Sequence, residues 1–160
     1  GVFLIGDPAG PEMSTHLANY QGELAIRIAL GDQVRPDYSA LPRAVYTDPE
    51  AAGVGLTLEQ AIEAGHDAFE EVADLAMTAK GYVAEASGHV TIVVDRGTRT
   101  LRGAFIAGPA ASEVIHEAVL AIKTQTTIDV LADTIHAFPT TARVMGGLFV
   151  KALRRIEDAA

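Results

Sequence analysis

Cysteine is missing from all 160 residues, so the chain can build no disulfide framework, thiolate metal site or Cys nucleophile of its own. That absence permits a cytoplasmic location, which is the one expected. Basic residues are few. Twelve Lys and Arg stand against 21 Asp and Glu, for a formal net charge of −9. Phosphate contacts dominate nucleic-acid affinity, and the only basic cluster is Lys151, Arg154 and Arg155. Those three fall where a last helical turn would set them against the helix dipole, so nucleic acid is not an expected partner. No apolar run approaches the ~20 residues of a membrane span, and no basic stretch opens the chain as in a signal peptide. Neither a phosphate-cradling G-x-G-x-x-G nor a zincin pair of His residues occurs. His16, His66, His89 and His116 show no ligand spacing, and no metal is expected.

What is present is ordinary for a globular chain. Apolar residues make up 49% and charged residues 21%, enough for a sizeable core without metals or disulfides as staples. Residues 1–7 read as a fully buried strand ending in Gly6 and Asp7, the way an open-sheet strand finishes at a ligand site. A buried strand needs neighbours, and none precedes it. The expectation is therefore the tail of a larger protein, cut just before a cofactor contact. Residues 14–30 read as a helix with Ser14 as N-cap, Leu17, Leu24 and Ile28 as its apolar stripe and Gly31 as its end. Ala18, Ala25 and Ala29 form a narrow strip beside that stripe. Residues 32–41 read as a linker containing Pro36, with Pro42 following.

Beyond it, residues 43–47 are a predicted strand stopped by Asp48 and Pro49. Thr57 and Gln60 have capping-box spacing ahead of a short helix closed by Gly65. Residues 67–77 are a further predicted strand. Val90, Ile92 and Val94 alternate as in a half-buried strand, which turns at Asp95–Thr98 and returns over Leu101–Ile106. Ile115, Ala118, Val119 and Ile122 have helical spacing, and Ile128, Leu131, Ala132 and Ile135 repeat it. After Pro139, Thr140 or Thr141 can cap a last helix faced by Met145, Leu148, Phe149, Ala152 and Ile156. Segregated strands and helices predict an α+β fold, a mixed, mostly antiparallel sheet backed by helices. The last helices carry more apolar surface than one core needs, including Met145, Phe149 and Val150, which predicts a self-association interface.

Four segments carry a family likeness. The first is Gly6, Asp7, Gly10, Pro11, His16, Ala18 and Gly22. The second is Val45 to Glu50 with Val54 and Gly55. The third is Leu101 to Ala104 leading to Gly108, Pro109 and Glu113. The fourth is Ile135 to Thr140. In order and spacing they resemble the C-terminal part of a flavin-dependent pyridine nucleotide–disulfide oxidoreductase, the family of dihydrolipoamide dehydrogenase and glutathione reductase. The resemblance implies that residues 1–40 end an FAD-binding domain, as a strand-helix remnant, and that 41–160 form the dimerisation domain of a homodimer. It implies FAD and NAD(P)H as cofactors of the intact enzyme. Asp7 would hold the ribityl chain, and Met13 and Ser14 would offer backbone N–H groups to the flavin ring at a helix N-terminus. The C-terminal stretch of one subunit would reach the flavin site of its twin.

Dithiol-handling members place a base His and an orienting Glu at the fourth segment. By position these fall on Phe138 and Arg143, which cannot do that work. A non-thiol acceptor such as a quinone is therefore the expected substrate, and no catalytic residue is assigned. The blander readings are an interface aromatic for Phe138, a cross-dimer ion pair for Arg143 and a structural hydrogen bond for His136. The competing functions are a non-catalytic self-association module with vestigial flavin contacts, or a transhydrogenase-like flavoprotein.

Overall fold

The computed structural model describes residues 1–10 and 12–159; Pro11, singled out above, and Ala160 lie outside the described residues. The chain divides into two compact units, Gly1–Tyr38 and Ser39–Ala160.

The first unit holds one long helix, α1 (Thr15–Ala29). Ser14 caps it, its side chain accepting from Leu17 N–H, and Leu17 and Leu24 are buried. Its far end closes as the sequence expects. Gly31 takes φ 104° and donates to Ile28 O, while Asp32 donates to Arg27 O. That is a left-handed glycine cap satisfying the last carbonyls. Ile28 stays exposed, so the buried stripe is shorter than its spacing suggests. Residues 1–5 are not a strand. A strand exists by its ladder, and no described residue offers them one. Val2, Phe3, Leu4 and Ile5 are exposed accordingly.

The second unit is an α+β layer structure. β1 (Pro42–Val45), β2 (Ala51–Gly55), β3 (Ala68–Asp74), β4 (His89–Asp95) and β5 (Thr100–Ala107) form one sheet in the order β1-β2-β5-β4-β3. Every pairing is antiparallel, so the sheet is not mixed. β2 connects through α2 (Leu58–Glu63) past β5 and β4 to the far-edge strand β3, which returns to β4 by way of α3 (Ala79–Ala84), and β4 turns directly into β5.

Across one face run Val54, Ala104 and Ile92 in one row and Ala52, Ile106 and Val90 in the next. All six are buried. Helix α4 (Ala111–Thr124) lies over β1, β2 and β5, and α6 (Thr141–Glu157) lies over β3 and β4. α5 (Ile128–Asp133) packs on α6. Met145, Leu148, Phe149, Ala152 and Ile156 supply the α6 side of that core. Met145 and Phe149 are thus committed to the chain's own interior and are not the surplus surface expected of them. Val93 points to the opposite face yet is buried as well, so β4 is covered on both sides at this end. A register shift between Val93 and Val94 lets Leu101 return its side chain to the core.

The cap at Thr57 forms in both directions. Thr57 Oγ1 accepts from Gln60 N–H, and Gln60 Oε1 accepts from Thr57 N–H. Arg155 falls in the last turn of α6, as expected of a dipole partner, and it also donates to the Glu71 carboxylate and the Glu70 carbonyl of β3. Its guanidinium and that of Arg96 lie 4.6 and 4.5 Å from the Phe69 ring centroid. No helix among the described residues is long and apolar enough to cross a membrane.

Candidate functional site

In the first unit the Gly6–Gly10 segment is a single 3-10 turn, Asp7–Ala9, flanked by Gly6 at φ 74° and Gly10 at φ 58°. Both conformations favour glycine. The Asp7 side chain is exposed. Met13 is 80% exposed and Ser14 begins α1. The helix therefore presents its first N–H groups, and the positive end of its dipole, at an accessible end. Packing does not demand the small residues here: a Cβ at Gly6 would lie 3.5 Å from Ala18 Cβ and one at Gly22 3.8 Å from Ile5 Cδ1, both ordinary contacts, so at Gly6 it is the positive φ that favours glycine. Gln21, unnoticed in the sequence, is 7% exposed and bonds to Gly6, Gly10 and Tyr38.

In the second unit the other three sequence segments converge. Glu50 ends the second; its Oε2 accepts from Ser112 N–H at 3.1 Å and Ser112 Oγ at 2.8 Å. That caps α4, whose own N-cap, Ala110, offers no side-chain acceptor. The Ser112 hydroxyl, then its amide, hold the Glu50 carboxyl below the ordinary carboxylate range against a small effect of burial. Gly108 N–H donates to the Glu50 carbonyl. Thr141, the residue after the fourth segment, ties it to the third: its Oγ1 donates to Pro109 O at 2.9 Å.

His136 is the hub of the fourth segment. Its side chain is 6% exposed and Nε2 lies 2.8 Å from Glu117 Oε1. The ring is packed against Gly146, where a Cβ would fall 2.5 Å from Nδ1. Nδ1 itself is buried and has no hydrogen-bond partner among the described residues. Two residues on, Phe138 is 73% exposed. Thr140 Oγ1 donates to Ala137 O at 2.6 Å and accepts from Arg143 N–H at 3.0 Å, so α6 starts there. The Arg143 side chain is exposed. Phe138 and Arg143 thus flank the start of α6, and neither side chain can accept a proton, while the His136 imidazole is enclosed. Ile135, expected on the face of α5, lies beyond that helix and is exposed.

A second buried cluster was not anticipated. Asp95 Oδ2 lies 2.9 Å from His66 Nδ1 and accepts from Arg102 at 3.1 Å, while Oδ1 accepts from Gly97 and Thr98 N–H. Burial alone would raise the Asp95 carboxyl; the Arg102 guanidinium and the turn amides outweigh it and hold it below its ordinary range. It locks the β4–β5 hairpin.

The family described as the pyridine nucleotide-disulphide oxidoreductase dimerisation domain matches residues 41–148. Dihydrolipoyl dehydrogenase 2 of Haloarcula marismortui is 41% identical over 148 residues, covering 90% of this chain and 31% of the relative. Dihydrolipoyl dehydrogenase of Thermus scotoductus is 40% identical over 143 residues, covering 88% of this chain and 30% of the relative. The crystal structure of LpdA from Mycobacterium tuberculosis superposes with a TM-score of 0.81 at 28% identity, over 95% of this chain and 33% of that one. RclA from Escherichia coli, a flavoprotein disulfide reductase, shares the fold with a TM-score of 0.80 at 23% identity, over 91% of this chain and 34% of that one. The chain spans about a third of the length of the curated relatives it matches.

Proposed function

The chain belongs to the pyridine nucleotide-disulphide oxidoreductase family through its dimerisation domain, and on that premise we propose that it is the self-associating part of an FAD- and NAD(P)H-dependent oxidoreductase that delivers electrons to a non-thiol acceptor such as a quinone. Residues 1–40 are read as the end of the FAD-binding domain, and 41–160 as the domain that pairs two copies.

The donor set of the first unit fits a flavin. Asp7 offers an exposed carboxylate to a ribityl hydroxyl, and Met13 and Ser14 offer N–H groups at the start of a 15-residue helix, where negative charge is favoured. FAD, when bound, supplies the two-electron chemistry between NAD(P)H and the acceptor; the residues of this chain hold and orient it.

One observation carries the choice of acceptor: the exposed pair at the start of α6 is Phe138 and Arg143. Thiol–disulfide chemistry needs a proton-accepting group there. Phe has none, and Arg stays protonated. His136 is no substitute, because its Nε2 is engaged by Glu117 and its ring is buried. Loss of a general base typically slows such chemistry by ~10²–10⁴. Steady-state assays of the full-length protein test this. Fast reduction of a short-chain benzoquinone with dihydrolipoamide turnover about a hundredfold slower or more is expected. Rapid lipoamide or glutathione turnover with sluggish quinone reduction would refute it.

A further inference from the structure

The turn that carries Asp7 is held at both ends by one side chain. Gln21 lies in the second turn of α1 and uses its whole amide. Oε1 accepts from Gly6 N–H at 2.7 Å. Nε2 donates to Gly10 O at 2.8 Å and to the Tyr38 hydroxyl at 3.2 Å. Gly6 and Gly10 are the residues that bracket Asp7–Ala9, and both hold positive φ. A donor and an acceptor are needed at once; the neutral amide of Gln supplies both, whereas an ionised Glu of the same length would only accept. The Asp7 side chain has no hydrogen bond with any described residue, so the one thing that fixes where it starts, its Cα–Cβ direction, is set by the backbone of the turn. That backbone is clamped by Gln21.

We propose that Gln21 is the positioning residue of the flavin-contact turn: by tying Gly6 to Gly10 it aims the Asp7 carboxylate and so sets how tightly the intact protein holds FAD. This rests on the reading of Asp7 as a flavin contact. Removing the amide leaves the Gly6 N–H and the Gly10 carbonyl unpaired, a loss that frees the turn.

Two variants of the full-length protein separate the two ideas, with FAD dissociation followed by flavin fluorescence. Asp7→Ala and Gln21→Met should each weaken FAD binding by about tenfold or more. In the 160-residue chain itself, Gln21→Met should speed hydrogen exchange at the Gly6 amide while the amides of Ile92 and Phe149 keep their protection. Unchanged affinity in Asp7→Ala overturns the flavin reading and this inference with it. Weakened binding in Asp7→Ala with wild-type binding in Gln21→Met overturns the positioning role alone. Should Gln21→Met fail to fold, Gln21→Glu decides, since it keeps the acceptor for Gly6 and loses the donor to Gly10. Weaker binding that recovers as the pH is lowered, when a protonated carboxyl can donate again, supports the role; wild-type affinity at every pH refutes it.

Discussion

Asp95 shows what a single carboxylate can be asked to do. It is nearly enclosed, yet it stays charged because Arg102 and two turn amides pay for its dehydration. Asp95→Ala should cost about 3 kcal/mol, the usual range for breaking a buried ion pair, read as a drop in thermal midpoint. Asp95 and Glu50 are both held below their ordinary values in the folded chain. Each therefore adds stability above its unfolded pKa and loses it as the pH falls through the folded one. Melting curves should show stability declining below about pH 4, and Asp95→Asn should flatten that decline while lowering the midpoint at neutral pH. Gly146→Ala is the complementary test. Its methyl would drive into the His136 ring, and overpacking of this kind costs about 1–3 kcal/mol. At this scale the sequence disclosed the residues with fixed local jobs, such as Ser14, Thr57, Gly31 and Gly65. Gln21, Glu117 and Ser112 were illegible because their partners lie 11–62 residues away, and no spacing rule reaches that far.

Among the elements, those with strong periodicity or a cap were readable. α6 follows its apolar spacing residue for residue, and the β4–β5 hairpin turns where Asp95 and Gly97 direct it. Thr140→Ala should therefore destabilise α6 by about 1 kcal/mol, seen as a lower denaturant midpoint at unchanged slope. β2 was missed because Ala51, Ala52 and Gly53 are poor strand formers with no alternation. Its neighbours impose the strand. β1 and β5 flank it, and the Phe105 ring lies so close over Gly53 that a Cβ there would fall 2.7 Å from it. α3 was missed for its brevity and its central Gly81, which is required because the Leu75 carbonyl occupies the place of a Cβ. Residues 1–7 misled in the other direction. Their apolar run is strand-like, but a strand cannot exist without a ladder to join.

For the molecule as a whole, the likeness of four short segments was enough to name the family, and two of them supply a residue to a long-range tie of the second unit: Glu50 to Ser112 and Pro109 to Thr141. The basis for self-association has to be moved. Met145 and Phe149 are interior, whereas Leu120, Val130, Ile135 and Phe138 are the exposed apolar residues of the helical layer. Sedimentation at micromolar concentration should return a dimer, and Ile135→Asp should shift it toward monomer. On the flavin reading proposed above, the 160-residue chain alone should purify without flavin absorbance, because Asp7, Met13 and Ser14 would supply only a small part of what holds FAD.

The His136–Glu117 pair carries one more consequence. It fastens the chain ahead of α6 to the middle of α4, so the outward groups at 138 and 143 ride on a chassis that takes no support from them. Side chains there should be exchangeable at little cost to the fold: Phe138→His with Arg143→Glu should leave the melting free energy within about 0.5 kcal/mol, so evolution can rewrite the outermost atoms without rebuilding what carries them.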